Sequence, residues 1–264
     1  MSRRSGWTES TEVLYSMLYE AVRSNPNYQQ LKTKAAELVT ANPRIDSMRL
    51  SEILRIPRGV ALVLLRAVRL WYHEVSDEVR LCRHVIPRYR KAGVGGTFDR
   101  LHVGHVALLN AAFREAERVF IGLVSDEFAR SAGKKDTLNY EERKDVLEGE
   151  LRRWGWIERA EIAELDDPYG PPLTDESFDV VIGSPFTLAN CLKIAVERIA
   201  ASRQPIAVEV GPIVLAEDGS PVSSTRIRAG EIDRHGRLTG SRVTSSRHTQ
   251  QRPPLRPKVS PPSP

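Results

Sequence analysis

Cysteine is nearly absent from this chain. Two occur in 264 residues, Cys82 and Cys191, far apart and in no pairing pattern. That excludes a disulfide frame and a cysteine-ligated metal cluster, and it leads us to expect a reducing compartment, the cytoplasm. Long apolar runs are missing too. A membrane-spanning helix needs about 18 consecutive apolar residues or more, and no such stretch exists. Met1-Ser2-Arg3-Arg4-Ser5 leads into Trp7-Thr8-Glu9-Ser10-Thr11 rather than an apolar segment, so no signal peptide is expected. Acidic residues are absent from 239–264, which carry Arg242, Arg247, Arg252, Arg256 and Lys258. The net charge of +5 is therefore the charge of that tail, and the rest of the chain is neutral. No nucleic-acid partner follows from such a balance. What remains, 41% hydrophobic and 28% charged residues, is enough for an ordinary globular core.

Three segments differ in character. Residues 1–87 read as a helical extension. Leu14, Met17, Leu18 and Ala21 recur at helical spacing after Thr8, and Tyr28, Leu31, Ala35 and Leu38 repeat the pattern. Leu50-Ser51-Glu52-Ile53-Leu54 is followed by Pro57-Arg58-Gly59 and then an apolar stretch from Val60 to Tyr72, so a short helix, a turn and a longer helix resemble a helix-turn-helix. Only Arg66 and Arg69 are basic within that stretch, which favours a packing bundle over DNA binding. Residues 88–238 alternate. Val119–Val124, Phe178–Ile182 and Ile206–Val210 are continuous apolar runs of the kind buried parallel strands show. His105–Glu117, Tyr140–Trp154 and Leu188–Ala201 read as helices between them. This predicts an α/β fold, a Rossmann-like doubly wound parallel sheet preceded by a small helical domain, with ligands beyond the carboxyl ends of the strands. Residues 239–264 hold six prolines, with Val243, Leu255 and Val259 their only large aliphatics, and are expected to be a disordered basic tail.

Two motifs carry chemistry. Gly95-Gly96-Thr97-Phe98-Asp99-Arg100-Leu101-His102-Val103-Gly104-His105 occupies the first strand-to-helix junction of the α/β segment. Glycines let a backbone approach a phosphate closely, and the helix start that follows attracts anions. Residues 102 and 105 share one face of a helix start, so both imidazoles can donate to the same phosphate without covalent chemistry. Asp218-Gly219-Ser220-Pro221-Val222-Ser223-Ser224-Thr225-Arg226-Ile227-Arg228 places a turn before three hydroxyls at a second helix start, with Arg228 one turn on. Alone, Ser-Ser-Thr is also an ordinary helix cap.

Residues 95–105 resemble the signature of the HxGH nucleotidyltransferases, and 223–228 resemble the superfamily's second, ISSTxxR-type signature, with Val222 in place of isoleucine. Within the superfamily the segment from Ala92 to Leu238 is most similar to the archaeal phosphopantetheine adenylyltransferases. Gly96–His102, Leu123–Glu127, Asp166-Asp167-Pro168-Tyr169-Gly170-Pro171 and Glu217-Asp218-Gly219 carry that likeness. The resemblance implies transfer of the adenylyl group of ATP to phosphopantetheine, with Mg2+ accompanying the nucleotide and no metal ligand from the protein. It implies catalytic roles for His105, His102 and Thr97, and ATP contacts from Gly95, Gly96, Thr97, Phe98, His102, His105, Ser223, Ser224, Thr225 and Arg228. For the acceptor it implies Thr97 and a basic residue, Lys134 or Lys135. Asp167 and Tyr169 would line the pantetheine channel or simply form a turn, and Arg143 would help build the fold or the site.

Two departures stand out. The Gly183-Ser184-Pro185-Phe186-Thr187 segment has no arginine where bacterial counterparts carry one. The first strand, Arg88–Val94, is short of large apolar residues. The alternatives are another acceptor (nicotinamide mononucleotide, flavin mononucleotide, or a phospho-alcohol with CTP) and a nucleotide-sensing DNA-binding regulator. A monomer is expected.

Overall fold

A computed structural model describes residues 21–22, 24–71, 87–134 and 136–239. The first expected helix, around Leu14 to Ala21, lies almost wholly outside these residues, as do Cys82, Lys135 and the tail from 240 onward.

Three helices open the described chain: α1 (Tyr28–Ala41), α2 (Ser47–Leu54) and α3 (Arg58–Val68). Asp46 caps α2 by accepting from the Arg49 amide at 2.7 Å. Pro57 stands just before α3, where its fixed φ costs nothing. The α2–α3 pair therefore has the expected helix, turn, helix order. Helix α3 buries Ala61, Val63, Leu64, Leu65 and Val68.

The apolar stretch Val60–Tyr72 does not continue as one helix. The chain leaves the helix after Val68 and forms strand β1 (Arg69–Trp71), which pairs in parallel with β7 (Ile213–Leu215). The correction has a tertiary cause: β7 offers a strand edge whose amides and carbonyls need partners, and Leu70 packs beside Val103, Val214 and Ala216.

The α/β part comprises β2 (Tyr89–Gly96), α4 (Val103–Glu115), β3 (Ala116–Val124), α5 (Asp126–Ser131), α6 (Tyr140–Trp154), β4 (Ala160–Leu165), β5 (Val180–Gly183), α7 (Leu188–Ala200), β6 (Ala207–Val210), β7 and α8 (Ser224–Arg228). Five strands form one sheet in the order β4-β3-β2-β5-β6, every pair parallel. The chain starts in the middle at β2, winds outward to β4, then returns to the other side of β2 and continues to β6. The winding reverses between β2 and β5, and a doubly wound sheet opens its ligand crevice at that reversal. Gly95-Gly96-Thr97 leaves β2 there.

The polar, glycine-rich first strand now has a physical account. Ala92 and Val94 face a core with Leu109, Ile121 and Leu123. On the opposite face Gly93 is required by close approach, because a Cβ there would stand 2.8 Å from Cγ of Pro172. Lys91 lays its ammonium 4.2 Å from the centre of the Phe178 ring and reaches Glu161 at 3.4 Å. Small residues and one long amphipathic side chain replace the usual branched aliphatics.

The described helices of the extension share their core with the α/β part. Ala35, Val39, Leu50 and Leu64 pack in one cluster with Leu188 of α7, Val210 of β6 and Ile213 of β7. Glu209, 4% exposed, fastens the joint by accepting from Gln29 and Arg88, each at 2.6 Å.

Candidate active site

The turn after β2 is held by its own unusual backbone. Phe98 and Arg100 both take left-handed φ of 48°, which folds the loop back over the strand end. Phe98 is buried with its ring centre 5.2 Å from that of His105. His102 is the N-cap of α4. Its Nδ1 accepts from the Gly104 amide at 3.1 Å, and Nδ1 of His105 accepts from the His102 amide at 3.4 Å. The two rings stack with centres 3.8 Å apart.

These bonds decide the tautomer. A nitrogen that accepts a backbone N–H carries no proton, so each neutral ring keeps its proton on Nε2. Charging either ring is disfavoured. Burial lowers the His102 pKa from 6.5 to about 4, against the pull of the Asp99 carboxylate. His105 keeps some surface, but dense packing, then His102 and Lys134, push it well below the ordinary histidine value. At neutral pH the site thus holds two uncharged imidazoles, each with one Nε2–H to donate.

Asp99 joins the two motifs. Its side chain, 2% exposed, accepts from the Leu138 amide at 3.1 Å and forms an ion pair with Arg228. Its carbonyl accepts the Ser224 hydroxyl at 2.6 Å. Ser223 caps α8 through Arg226 N, and Arg228 also donates to the Thr225 hydroxyl at 3.2 Å. Residues 97–105 and 223–228 are therefore one unit, although more than a hundred residues separate them in sequence.

Lys134, after α5, reaches the same place: Nζ lies 2.5 Å from the Thr97 hydroxyl. Burial lowers its pKa from the ordinary lysine value; Arg228 and Arg143 add to this and Asp99 opposes it. Cations crowded around one carboxylate make a field that an anion would relieve.

Arg143, wholly buried, is a strut of the fold. It donates to the carbonyls of Thr97 and Val124, both at 2.8 Å, to that of Leu138 at 2.9 Å, and to Asp126 at 2.7 Å. It ties the ends of β2 and β3 to the start of α6.

Beyond Gly95, Gly96 and Thr97 lies a cavity of about 230 Å3, bounded also by Lys134, Asp167, Tyr169 and Cys191. Asp167 spends its Oδ1 on the amides of Tyr169 and Gly170, both at 2.7 Å, so its carboxylate shapes the turn that forms the cavity wall. The Cys191 thiol is pushed up by burial to about 11. Of the expected site residues, those of both motifs and Lys134 converge. Asp167 and Tyr169 line the same cavity, and Lys135 lies outside the described residues. The sequence by itself assigns Asp99 no role. Its signal was its place between two left-handed residues, which only the backbone reveals.

A glycine-rich turn at the winding reversal, two neutral histidines and a cluster of cations make up the candidate site. Residues 94–230 match the cytidylyltransferase-like family, and the chain belongs to that family. It is 41% identical over 148 residues to the phosphopantetheine adenylyltransferase of Methanopyrus kandleri, covering 56% of this chain and 94% of that protein. It is 45% identical over 151 residues to the enzyme of the same name from Methanosarcina barkeri, covering 56% and 92%. A bifunctional phosphopantetheine adenylyltransferase/NTP phosphatase of Thermoplasma acidophilum is 38% identical over 151 residues, 57% of this chain and 45% of that protein. The helices before β2 lie outside the family match.

Proposed function

We infer that this chain transfers the adenylyl group of ATP to phosphopantetheine, giving dephospho-coenzyme A and pyrophosphate. The observation that carries it is the junction of the two motifs through Asp99 beside a cavity at the β2–β5 reversal. The similarity to archaeal enzymes of that name supports the choice of acceptor.

A phosphate oxygen of the acceptor attacks the α-phosphorus of ATP. The bond from that phosphorus to the bridging oxygen breaks, and pyrophosphate leaves. Little covalent chemistry falls to the protein, so its work is positioning and charge stabilisation. His105 donates a hydrogen bond from its Nε2–H to an α-phosphate oxygen, and His102 lies beside the nucleotide phosphates. Because both rings are neutral, they donate hydrogen bonds without giving up a proton. Lys134 and Thr97 hold the acceptor phosphate. Ser223, Ser224, Thr225 and Arg228 hold the triphosphate, and Gly95, Gly96 and Phe98 shape the floor beneath it. The cavity takes the pantetheine arm, with Tyr169 and the Asp167 turn as its wall.

Magnesium would be brought by the nucleotide rather than held by the protein alone. Among the described residues no group of three or more His, Cys, Asp or Glu side chains could cage an ion, and Asp99 is already engaged. In its usual mode Mg2+ keeps several waters and binds substrate phosphates. Bound there, it would neutralise charge on the leaving pyrophosphate. Incubating the protein with ATP, Mg2+ and phosphopantetheine should yield a product with the mass of dephospho-coenzyme A, and the absence of that mass refutes the proposal. No described helix is long and apolar enough to cross a membrane.

A further inference from the structure

The helical extension, which the family match does not include, reaches the loop that carries the second motif. Arg44 lies between α1 and α2 and donates from Nη2 to the Asp218 carbonyl at 2.8 Å. Its guanidinium lies under Gly219, whose φ of +78° makes the turn; a Cβ there would stand 3.4 Å from Nε of Arg44. The Asp218 carboxylate in turn grips Arg226 of α8 at 2.5 Å and caps the turn through Ser220 N at 2.9 Å. A chain of contacts therefore runs from Arg44 through Asp218 to the helix that presents Ser223 to Arg228.

The same loop is held from behind. It returns onto β7, with Ala216 N donating to Ser220 O at 2.8 Å and Val222 N to Val214 O at 2.9 Å. Strand β7 is fixed by pairing with β1 of the extension. Arg69 of β1 donates to the Ile45 carbonyl at 2.6 Å, which anchors the segment carrying Arg44. Ile45 itself is buried. Backbone pairing and the Arg44 contact thus converge on one five-residue helix, α8.

We propose that the helical extension positions the second nucleotide-binding motif, and that Arg44 is the positioning residue through which it acts. Arg44 touches no part of the nucleotide in this account; it sets the pose of Ser223, Ser224, Thr225 and Arg228. The inference rests on the proposed adenylyl transfer. An extension that serves only to cover an apolar face would need Ile45 and Leu50 but not the exposed Arg44.

The test is ATP binding by calorimetry and steady-state kinetics on the full chain, comparing wild type with Arg44→Ala and Arg44→Lys, alongside thermal melting. Losing one charge-assisted bond at an exposed site should raise the ATP Kd and KM on the order of five-fold. Turnover at saturating ATP and the melting temperature should stay near wild type, and the lysine variant should recover part of the affinity. An unchanged ATP Kd in Arg44→Ala overturns the proposal, as does a loss in step with a lower melting temperature. Arg226→Ala supplies a cycle: the pair should be non-additive in ATP affinity, and simple additivity also counts against the relay. If wild type itself binds no ATP, the adenylyl-transfer reading fails first, and the two failures remain distinct.

Discussion

Replacing His102 by glutamine should flatten the acid limb of the stability curve. In the folded chain the His102 pKa is lowered from 6.5 to about 4, chiefly by burial. The unfolded chain then binds the proton first as pH falls. Stability contributed by the neutral ring is full above pH 6.5 and is lost as pH drops toward 4. A 2.5-unit difference corresponds to about 3 kcal/mol at 1.36 kcal/mol per unit. His105 is shifted in the same direction and steepens the loss. Glutamine cannot titrate here, and its side-chain oxygen can still accept from the Gly104 amide. The assay is urea unfolding of both proteins from pH 7.5 to 4, with carboxylate effects removed by taking the difference between the curves. Wild type should lose about 3 kcal/mol more than His102→Gln over that interval. Parallel curves would mean that the ring is charged or solvated, and the tautomer argument for two neutral donors would fall with it.

Two further outcomes follow from the same geometry. His105→Ala should cost about 100- to 1,000-fold in turnover, because the donated bond strengthens as charge develops on the attacked phosphate. ATP should still bind and the protein should stay folded, with only a modest drop in melting temperature from the lost acceptor for the His102 amide; full turnover in a folded variant removes the mechanism. Arg143→Leu should destabilise by about 3 kcal/mol or more, since it strands three carbonyls and Asp126 around a buried gap. Denaturant midpoints check this, and a loss below about 1 kcal/mol would show that water replaces the guanidinium.

Much of the candidate site is legible in the sequence. The Gly95–His105 run announces a strand end, a turn and a helix start, because those residue types are needed where backbone must approach an anion. The strands β3, β5 and β6 were readable as apolar runs, since parallel strands are covered on both faces. Four features are not legible in the sequence. Strands β1 and β7, each three residues long, have no periodicity of their own; each exists because the other completes its hydrogen bonds. For Arg143 the resemblance implies a part in the fold or the site, but its full burial inside a helix rich in charge comes from tertiary packing alone. The apolar faces of α1 and α3 announced burial but not against what, so the core they share with β6, β7 and α7 was out of reach. Asp99 stood within the motif, yet its link to Arg228 joins segments that sequence spacing cannot relate.

Pyrophosphate release, followed side by side for several nucleotide and acceptor pairs, tests the central claim most directly. Purified protein with Mg2+ would be given ATP or CTP, each with phosphopantetheine, nicotinamide mononucleotide, flavin mononucleotide or a phosphorylated alcohol. The account predicts release with ATP and phosphopantetheine well above every other pair, and none when the acceptor is withheld. Equal or faster release with CTP or with a mononucleotide acceptor would contradict it.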